Sequence, residues 1–296
     1  MAGDRHAYVP YWLVNGCATR SWIYVTADYR LIPEATAHDA VNDCVDAYKW
    51  ITSSLATELG ITLGPVLLSG SSAGGYLALT SASALLSLPV QQPAALLLIY
   101  GVLQPADQRY TTKGMSIYNR TPVDCTPVLT KFAEAQRSAA AKVLSGVRPG
   151  TAEDEYRQEL IVAFHLEALF PDYMTGVSGL GAAMAREGPW AIPDKHRDLY
   201  VVEFDRGKGL PPTILLHGQN DSAVPFQQSV RAAEGLEKMG VTVVREFPMD
   251  GEHGYDVRAG NVDVEKDQLG GFPEERFEAL RRILKFLDNA VKNHQS

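Results

Sequence analysis

The stretch Ser69-Gly70-Ser71-Ser72-Ala73-Gly74-Gly75 stands between two segments of different character. Residues 65–68, just before it, form a short apolar run that is typical of a buried strand. Residues 76–86, just after it, are rich in residues that favour a helix. The sequence therefore predicts a sharp turn from a strand into a helix. The pattern Gly-x-Ser-x-Gly at residues 70–74 is that of a nucleophile elbow.

Ser72 is the candidate nucleophile at the tip of this turn. The turn forces the serine into a strained backbone conformation, so only small neighbours fit around it, and Gly70 and Gly74 are expected to supply that room. The helix that begins behind Ser72 offers free amide groups and the positive end of its dipole. The same residues are also compatible with a glycine-rich turn that carries no chemistry.

Composition limits the class of protein. Hydrophobic residues make up 46% of the 296 residues, which is enough for a sizeable core, and the formal net charge is −8. We expect no nucleic-acid partner, because no block of basic residues is present, and no membrane span, because no apolar run is long enough. The widely spaced cysteines and the polar first residues favour reduced thiols, no signal peptide and a cytoplasmic location. The sequence leaves open whether the protein forms a homodimer. The cysteines are Cys17, Cys44 and Cys125.

Apolar runs alternate with amphipathic segments along most of the chain, which predicts an α/β fold. Continuous apolar strands of this kind indicate a mostly parallel sheet with helices on both faces. The predicted strands are residues 22–26, 65–68, 94–100, 213–217 and 242–247. The predicted helices are residues 7–15, 37–55, 76–86, 226–239 and 273–291.

The alternation stops between residues 101 and 209. A crossover between parallel strands needs only about a dozen residues, so this segment is interpreted as an insertion within one domain of residues 1–296. It is predicted to hold one helix over residues 127–144 and another from Thr151, where Thr151 and Asp154 resemble a capping box. Because it leaves the sheet after a strand, we expect it to form a cap over the ligand site. The sequence is also compatible with a decorative insertion or one that forms an oligomer contact.

A serine nucleophile needs a base, and the base needs a carboxylate that fixes its tautomer. Asp221 and His253 both follow predicted strands, and the chain order Ser72, Asp221, His253 is that of an α/β hydrolase. His217 is a rival base, but it precedes Asp221, and we interpret it as structural. Weaker candidates are His165, His196, Asp205 and Asp250.

Four motifs carry a resemblance to a known family: Asp28-Tyr29-Arg30-Leu31 with Pro33-Glu34, Gly70-Ser71-Ser72-Ala73-Gly74-Gly75, His217-Gly218-Gln219-Asn220-Asp221 and His253-Gly254. With them the chain resembles the hormone-sensitive-lipase branch of the α/β hydrolases, and in particular its microbial and fungal esterases. The resemblance implies hydrolysis of carboxylic esters, with Ser72 as nucleophile, Asp221 as acid and His253 as base. It also implies that the Ala73 amide is one oxyanion donor and that residues 28–34 are structural.

The sequence departs from this family at its start. The family carries a His-Gly-Gly-Gly loop that completes the oxyanion hole, whereas this sequence begins with Met1-Ala2-Gly3-Asp4, about where that loop should end. Either the sequence starts at an internal methionine or the protein is shortened at its N-terminus. We expect the strand at residues 22–26 to pair directly with the strand at 65–68 or to lie beside an unfilled slot. Loss of one oxyanion donor costs about 10²–10³ in rate, so we expect weak turnover.

The sequence is compatible with two functions. The first is a serine esterase that acts on small or medium apolar acyl esters through a Ser-His-Asp mechanism, with no cofactor and no metal. The second is a hydrolase-fold protein that binds a ligand with little or no catalysis. The complete set of Ser72, Asp221 and His253 favours the esterase, and the missing loop favours the binding protein.

Overall fold

The computed structural model describes residues 3–138, 142–266 and 274–295. The chain divides into two compact units. The sheet unit consists of Tyr8–Ala27, Val45–Leu103 and Gly207–Ser296. The helical unit consists of Met1–Ala7, Asp28–Cys44 and Gln104–Arg206. The predicted insertion thus falls in the helical unit, together with two segments from earlier in the chain.

The helices occur in both units. They are α1 Tyr11–Thr19, α2 Ala37–Trp50, α3 Ala56–Leu59, α4 Ala73–Leu85, α5 Gln108–Thr111, α6 Thr126–Arg137, α7 Ala152–Leu166, α8 Phe170–Thr175, α9 Leu180–Glu187, α10 Gln227–Lys238 and α11 Glu274–Gln295. A π-helix at Ile51–Leu55 joins α2 to α3, and 3-10 turns lie at Gly188–Ala191, Asp194–Leu199 and Val257–Ala259. Within the described ranges, no helix is both long enough and apolar enough to cross a membrane.

The sheet unit contains a four-stranded parallel sheet in the order β1-β2-β3-β4. Its strands are β1 Leu67–Ser71, β2 Ala95–Ile99, β3 Thr213–Leu216 and β4 Val243–Glu246. In register, Leu67 pairs with Ala95, Leu96 with Thr213, and Thr213 with Val243. Every residue of β2 and β3 is buried, as expected for the central strands of a sheet covered on both faces. The predicted α/β fold with a parallel sheet is therefore confirmed.

Helices pack on both faces of the sheet. On one face, alternate residues of β2 and β3 join α1 and α11 in a single core, and the apolar face predicted for the last helix is buried there. The other residues of these strands point the opposite way because side chains alternate along a strand. The helix α4 contacts β1 and β2, and α10 contacts β4. The core residues contributed by α11 include Phe277, Leu280, Ile283, Leu284 and Leu287.

The predicted strand at residues 22–26 is wrong. This stretch has no regular secondary structure in the sheet unit, and β1 is the edge strand of the described sheet. Ile23 and Val25 are 48% and 43% exposed. Residues with high β propensity form a strand only where a neighbouring strand supplies backbone partners and packing, and no described strand pairs with this stretch. The expected direct pairing with residues 65–68 is therefore wrong as well, and the position beside an unfilled slot stays a prediction.

The first helix also differs from its prediction. The sequence predicts a helix over residues 7–15 that ends before Gly16, but α1 begins after Pro10 and continues through Gly16 to Thr19. A Cβ atom at Gly16 would lie 2.6 Å from a methyl group of Leu284 on α11. The glycine therefore permits close helix packing and does not end the helix.

The helical unit contains more helices than the two that were predicted. The helix expected over residues 127–144 is α6, which ends at Arg137, and residues 139–141 lie outside the described residues. The helix α7 begins as expected, because the Thr151 hydroxyl accepts a hydrogen bond from the Asp154 amide at 3.3 Å. Pro273, the expected start of the last helix, also lies outside the described residues.

Residues 28–34 have structural partners within the helical unit. Arg30 forms ion pairs with Asp39 at 3.0 Å and Asp43 at 2.8 Å. Glu34 forms a buried ion pair with Arg157 of α7, and Arg157 also donates to the Ile32 carbonyl at 2.8 Å. A buried arginine is tolerated when an acid pairs with its charge, and Glu34 is that acid here.

Candidate active site

The turn between β1 and α4 holds Ser72 in an unusual backbone conformation. Ser72 has φ 55° and ψ −120°, and a positive φ is uncommon for a residue with a side chain. Its amide donates to the Ile99 carbonyl at 2.8 Å, and its carbonyl accepts from the Val102 amide at 3.2 Å. The surrounding structure thus fixes this conformation from both sides, as is common where a functional side chain must be presented.

The glycines of the turn have different roles. A Cβ atom at Gly70 would lie 2.0 Å from the Gly74 carbonyl oxygen, so Gly70 supplies room as predicted. A Cβ atom at Gly74 would meet nothing within 4 Å, so the prediction for that glycine is wrong. The second close approach occurs at Gly75, where a Cβ atom would lie 2.7 Å from the Cα atom of Gly101. The sequence pattern does not reveal which of two adjacent glycines faces the next strand.

The structure brings the three predicted catalytic residues into one chain of hydrogen bonds. Nε2 of His253 lies 3.2 Å from the Ser72 hydroxyl, and Nδ1 of His253 lies 2.7 Å from Oδ2 of Asp221. A neutral imidazole that donates from Nδ1 to the carboxylate has a free lone pair on Nε2, which faces the serine. This is the tautomer that can accept a proton from Ser72.

Asp221 has four hydrogen-bond donors around its buried carboxylate. Oδ1 accepts from the amides of Ala223 and Val224, both at 2.8 Å. Oδ2 accepts from His253 and also lies 3.2 Å from Nε2 of His217. Burial by itself would raise the pKa of Asp221, but the hydrogen bonds and charges of the two histidines hold that pKa below its ordinary value. The carboxylate is therefore ionised where an imidazolium would form.

His217, the rival base, is fully buried beside this carboxylate. Its Nδ1 lies 2.6 Å from the Ser229 hydroxyl, and its Nε2 lies 3.1 Å from the Val224 carbonyl. A carbonyl can only accept, so Nε2 carries the proton and Nδ1 accepts from Ser229. Both ring nitrogens are thus occupied, and the ring supports the acid.

The sequence did not predict a role for Glu252. Its Oε1 accepts hydrogen bonds from the Ser222 amide at 2.8 Å, the Ser222 hydroxyl at 3.0 Å and the His253 amide at 2.8 Å. Glu252 therefore ties the loop that carries Asp221 to the loop that carries His253. Its position immediately before His253 is the only signal in the sequence.

The same two loops touch through glycines. A Cβ atom at Gly218 would lie 2.1 Å from the Gly251 carbonyl oxygen, so a side chain there would force the loops apart. The Asn220 amide also donates to the Gly251 carbonyl at 3.1 Å. Backbone contact therefore sets the spacing of the two loops, and the distance from Asp221 to His253 depends on it.

The other candidate histidines have partners in the helical unit. Nδ1 of His165 lies 2.8 Å from the Ile161 carbonyl, and burial lowers the pKa of His165 to about 4. Nδ1 of His196 lies 2.9 Å from Nε2 of His38. These contacts indicate that His165 and His196 have structural roles in the helical unit.

The amide of Ala73 is the first of the helix α4. The first amides of a helix have no carbonyl one turn earlier to accept their hydrogen bonds, and the helix dipole makes this end positive. Ala73 directly follows Ser72, so its amide is suited to a negative oxygen that develops next to the serine.

Comparison with known protein families covers most of the chain. A family profile described as alpha/beta hydrolase fold matches residues 12–151, and a profile described as prolyl oligopeptidase family matches residues 184–294. The chain has the α/β-hydrolase fold. The first match contains the elbow, and the second contains the acid and base loops, so both parts of the hydrogen-bonded site lie in segments that match a family profile.

Curated relatives include lipases and esterases. The chain is 40% identical over 243 residues to Lipase 2 of Moraxella sp., a match that covers 81% of this chain and 48% of that protein. It is 33% identical over 153 residues to the carboxylesterase/phospholipase LipF of Mycobacterium tuberculosis, covering 51% of this chain and 37% of LipF. It is also 26% identical over 268 residues to the non-reducing polyketide synthase pkbA of Emericella nidulans, covering 81% of this chain and 11% of the synthase. The chain thus spans less than half the length of each of these relatives.

Solved structures share the fold of this chain. An esterase/lipase from an uncultured bacterium superimposes with a TM-score of 0.53 at 19% identity, covering 95% of this chain and 70% of that chain. An esterase from Pyrobaculum calidifontis superimposes with a TM-score of 0.54 at 18% identity, covering 93% of this chain and 68% of that chain. These solved structures show the fold, and the α/β-hydrolase profile together with the curated lipase and esterase relatives confirms the resemblance to the hormone-sensitive-lipase branch.

Proposed function

We propose that this protein is a carboxylic ester hydrolase that uses Ser72, His253 and Asp221 in an acyl-enzyme mechanism. The observation that carries the proposal is the unbroken line of hydrogen bonds from the Ser72 hydroxyl through His253 to Asp221. The lipase and esterase relatives support the same reaction class. The helix-terminal amide of Ala73 supports acyl transfer in particular, because that chemistry develops a negative oxygen beside the nucleophile.

In the proposed first step, the Ser72 hydroxyl oxygen attacks the ester carbonyl while Nε2 of His253 accepts the hydroxyl proton. The carbonyl oxygen becomes an oxyanion, to which the Ala73 amide donates. The ionised Asp221 stabilises the imidazolium through Nδ1. The tetrahedral intermediate then breaks the bond to the alcohol oxygen, which leaves with the proton from His253, and the acyl group stays on Ser72.

In the proposed second step, His253 removes a proton from a water molecule, and the water oxygen attacks the acyl-serine carbonyl. Breakdown of this second tetrahedral intermediate releases the carboxylic acid and returns the proton to Ser72. The residues end in their starting protonation states, so no cofactor and no metal are needed for the cycle.

We propose that the substrates are esters of small or medium apolar acyl groups and that the segment between residues 101 and 209 determines the preference among them. This segment begins just after β2, whose carboxyl end lies at the same edge of the sheet as the end of β1. Parallel α/β folds bind ligands at this edge. Exchange of the segment for that of another esterase should change the acyl preference and leave the reaction of Ser72 with phosphonates intact.

Hydrolysis of a chain-length series of nitrophenyl esters tests the proposed function. We expect turnover by the wild-type protein, no turnover by Ser72→Ala, and wild-type turnover by Ser69→Ala, which changes an exposed serine of β1. A folded wild-type protein that binds these esters without hydrolysing them would instead support the ligand-binding alternative. Turnover that persists in Ser72→Ala would show that another group performs the reaction.

A further inference from the structure

Tyr100 lies against the imidazole of His253. It follows the last residue of β2, is 3% exposed, and has φ 36°, an uncommon value for a tyrosine. Its amide donates to the Leu216 carbonyl at 2.6 Å, which extends the pairing of β2 with β3 by one residue. The ring centroids of Tyr100 and His253 are 4.6 Å apart, with an angle of 55° between the ring planes. The sheet therefore holds Tyr100 at the face of the proposed general base.

A buried carboxylate anchors the far end of the tyrosine. The Tyr100 hydroxyl donates to Oδ1 of Asp256 at 2.6 Å, and Nε1 of Trp12 donates to Oδ2 of Asp256 at 3.0 Å. Asp256 and Trp12 are 1% and 0% exposed. Burial raises the pKa of Asp256, and burial together with the Asp256 charge raises the pKa of Tyr100. Buried polar groups that satisfy one another in this way hold a single arrangement, because any other would leave a donor or an acceptor unpaired.

The hydrogen bonds of His253 leave some tilt of its ring unrestrained. Bonds at Nδ1 and Nε2 fix the line from Asp221 to Ser72, but each bond tolerates some tilt of the ring about that line. The backbone of this loop is held at Gly251, which meets Gly218, and at the His253 amide, which donates to Glu252. A ring packed against the imidazole limits the remaining tilt, and Tyr100 is such a ring.

We propose that Tyr100 is a positioning residue for His253, held against the imidazole face by Asp256 and Trp12. The proposal rests on the proposed function of His253 as general base. Asp256 acts by a second route as well, since it lies three residues after His253 and ties that loop to α1 and β2. The aromatic face also favours a positive charge on the imidazole, which forms only as the proton leaves Ser72. Positioning of this kind is expected to act on kcat more than on KM, because Tyr100 is buried and acts through His253.

The test compares Tyr100→Leu, Tyr100→Phe and Asp256→Asn with wild type in ester hydrolysis. We expect Tyr100→Leu to lower kcat by about 10²-fold with KM nearly unchanged, since a misplacement of about 1 Å costs this much. Tyr100→Phe keeps the ring and loses the anchor, and should lower kcat by about tenfold, as should Asp256→Asn. Tyr48→Leu is the matched control: Tyr48 is a second buried tyrosine of the sheet unit, on α2, and should change stability without changing kcat.

A nuclear magnetic resonance measurement separates this proposal from the proposed function. In wild type the Tyr100 ring current should shift the carbon-bound imidazole protons of His253, and the shift should vanish in Tyr100→Leu and remain in Tyr100→Phe. If wild type hydrolyses no ester but the ring-current shift is present, the proposed function fails and the positioning of the ring stands. If esters are hydrolysed and Tyr100→Leu retains wild-type kcat, or lowers it only as Tyr48→Leu does, the positioning role is overturned.

Discussion

His217 and His253 both contact Oδ2 of Asp221, at 3.2 Å and 2.7 Å, yet their second nitrogens face different partners. His217 is fully buried, with its Nδ1 on the Ser229 hydroxyl. His253 keeps 12% of its side chain exposed, and its Nε2 faces the Ser72 hydroxyl. The same carboxylate therefore has one histidine on its protein side and another on its reactive side.

This difference shows how one residue type takes two roles. A histidine whose two nitrogens are both bonded inside the core cannot exchange protons with a substrate, and its bonds contribute to stability and to the charge of the acid. A histidine with one nitrogen on a serine can transfer a proton. Removal of each imidazole should accordingly affect different measurable quantities.

The largest expected effect is on the rate after loss of the reactive histidine. His253→Ala should lower kcat/KM for nitrophenyl esters by roughly 10⁴–10⁶-fold, because no other group takes the Ser72 proton. The protein should remain folded, since Asp221 keeps the two amides and His217 as donors. His217→Ala is the matched control, and an equal loss of rate in the folded fraction of both variants would contradict the assignment.

Asp221→Asn should lower kcat by about 10⁴-fold. The amides of Ala223 and Val224 require an oxygen at the Oδ1 position, so the new NH₂ group must face the histidines. His253 would then accept at Nδ1 and carry its proton on Nε2, where it cannot serve as base. Circular dichroism establishes that the variant is folded, and kcat is measured by ester turnover. A variant that keeps more than about a tenth of wild-type kcat would show that the acid is another residue.

The core histidine should matter for stability. His217→Ala leaves a cavity and removes partners from the Ser229 hydroxyl and the Val224 carbonyl, so the free energy of unfolding should fall by about 2–4 kcal/mol. Urea unfolding gives this value. The folded fraction should still react with a phosphonate at Ser72, and loss of that reaction in a folded variant would place His217 in the chemistry.

The pH dependence of stability shows which imidazole acts on the acid. The pKa of Asp221 is below its ordinary value in the folded protein, so its contribution is present above the unfolded pKa of about 3.9 and is lost as the pH falls through the folded pKa. The stability difference between wild type and Asp221→Asn should therefore shrink below about pH 4 in urea titrations. A difference that grows on acidification would contradict this sign. The same titrations of His217→Ala and His253→Ala would divide the effect between the two rings.

The sequence predicts those parts of the molecule that depend on local pattern. The elbow at Ser72, the four observed strands and the order of Ser72, Asp221 and His253 all follow from runs of residues and their turns. The predicted strand at residues 22–26 is wrong because strand formation requires a partner strand from elsewhere in the chain. The predicted end of α1 is wrong because Gly16 packs against Leu284, which is far away in sequence.

The side-chain partners within the site could not be predicted from the sequence, because they also lie far apart in the chain. These partners depend on how loops from different strands meet. Examples are the contact of His217 with Asp221, the hydrogen bonds of Glu252 that join the two loops, and the contact of Tyr100 with His253. In the sequence, Tyr100 is recognisable only as the last residue of a predicted apolar strand. Glycines at positions 218 and 251 are the nearest signal, since they allow the acid and base loops to touch.

The central claim is that His253, and not His217, activates Ser72. The most direct test is the rate at which a fluorophosphonate probe adds to Ser72, followed by intact mass and peptide mapping. We predict rapid addition at Ser72 in wild type, none in Ser72→Ala, addition slowed by orders of magnitude in His253→Ala, and addition close to the wild-type rate in the folded fraction of His217→Ala. No adduct at Ser72 in the folded wild-type protein, or equal slowing by the two histidine variants, would contradict the claim.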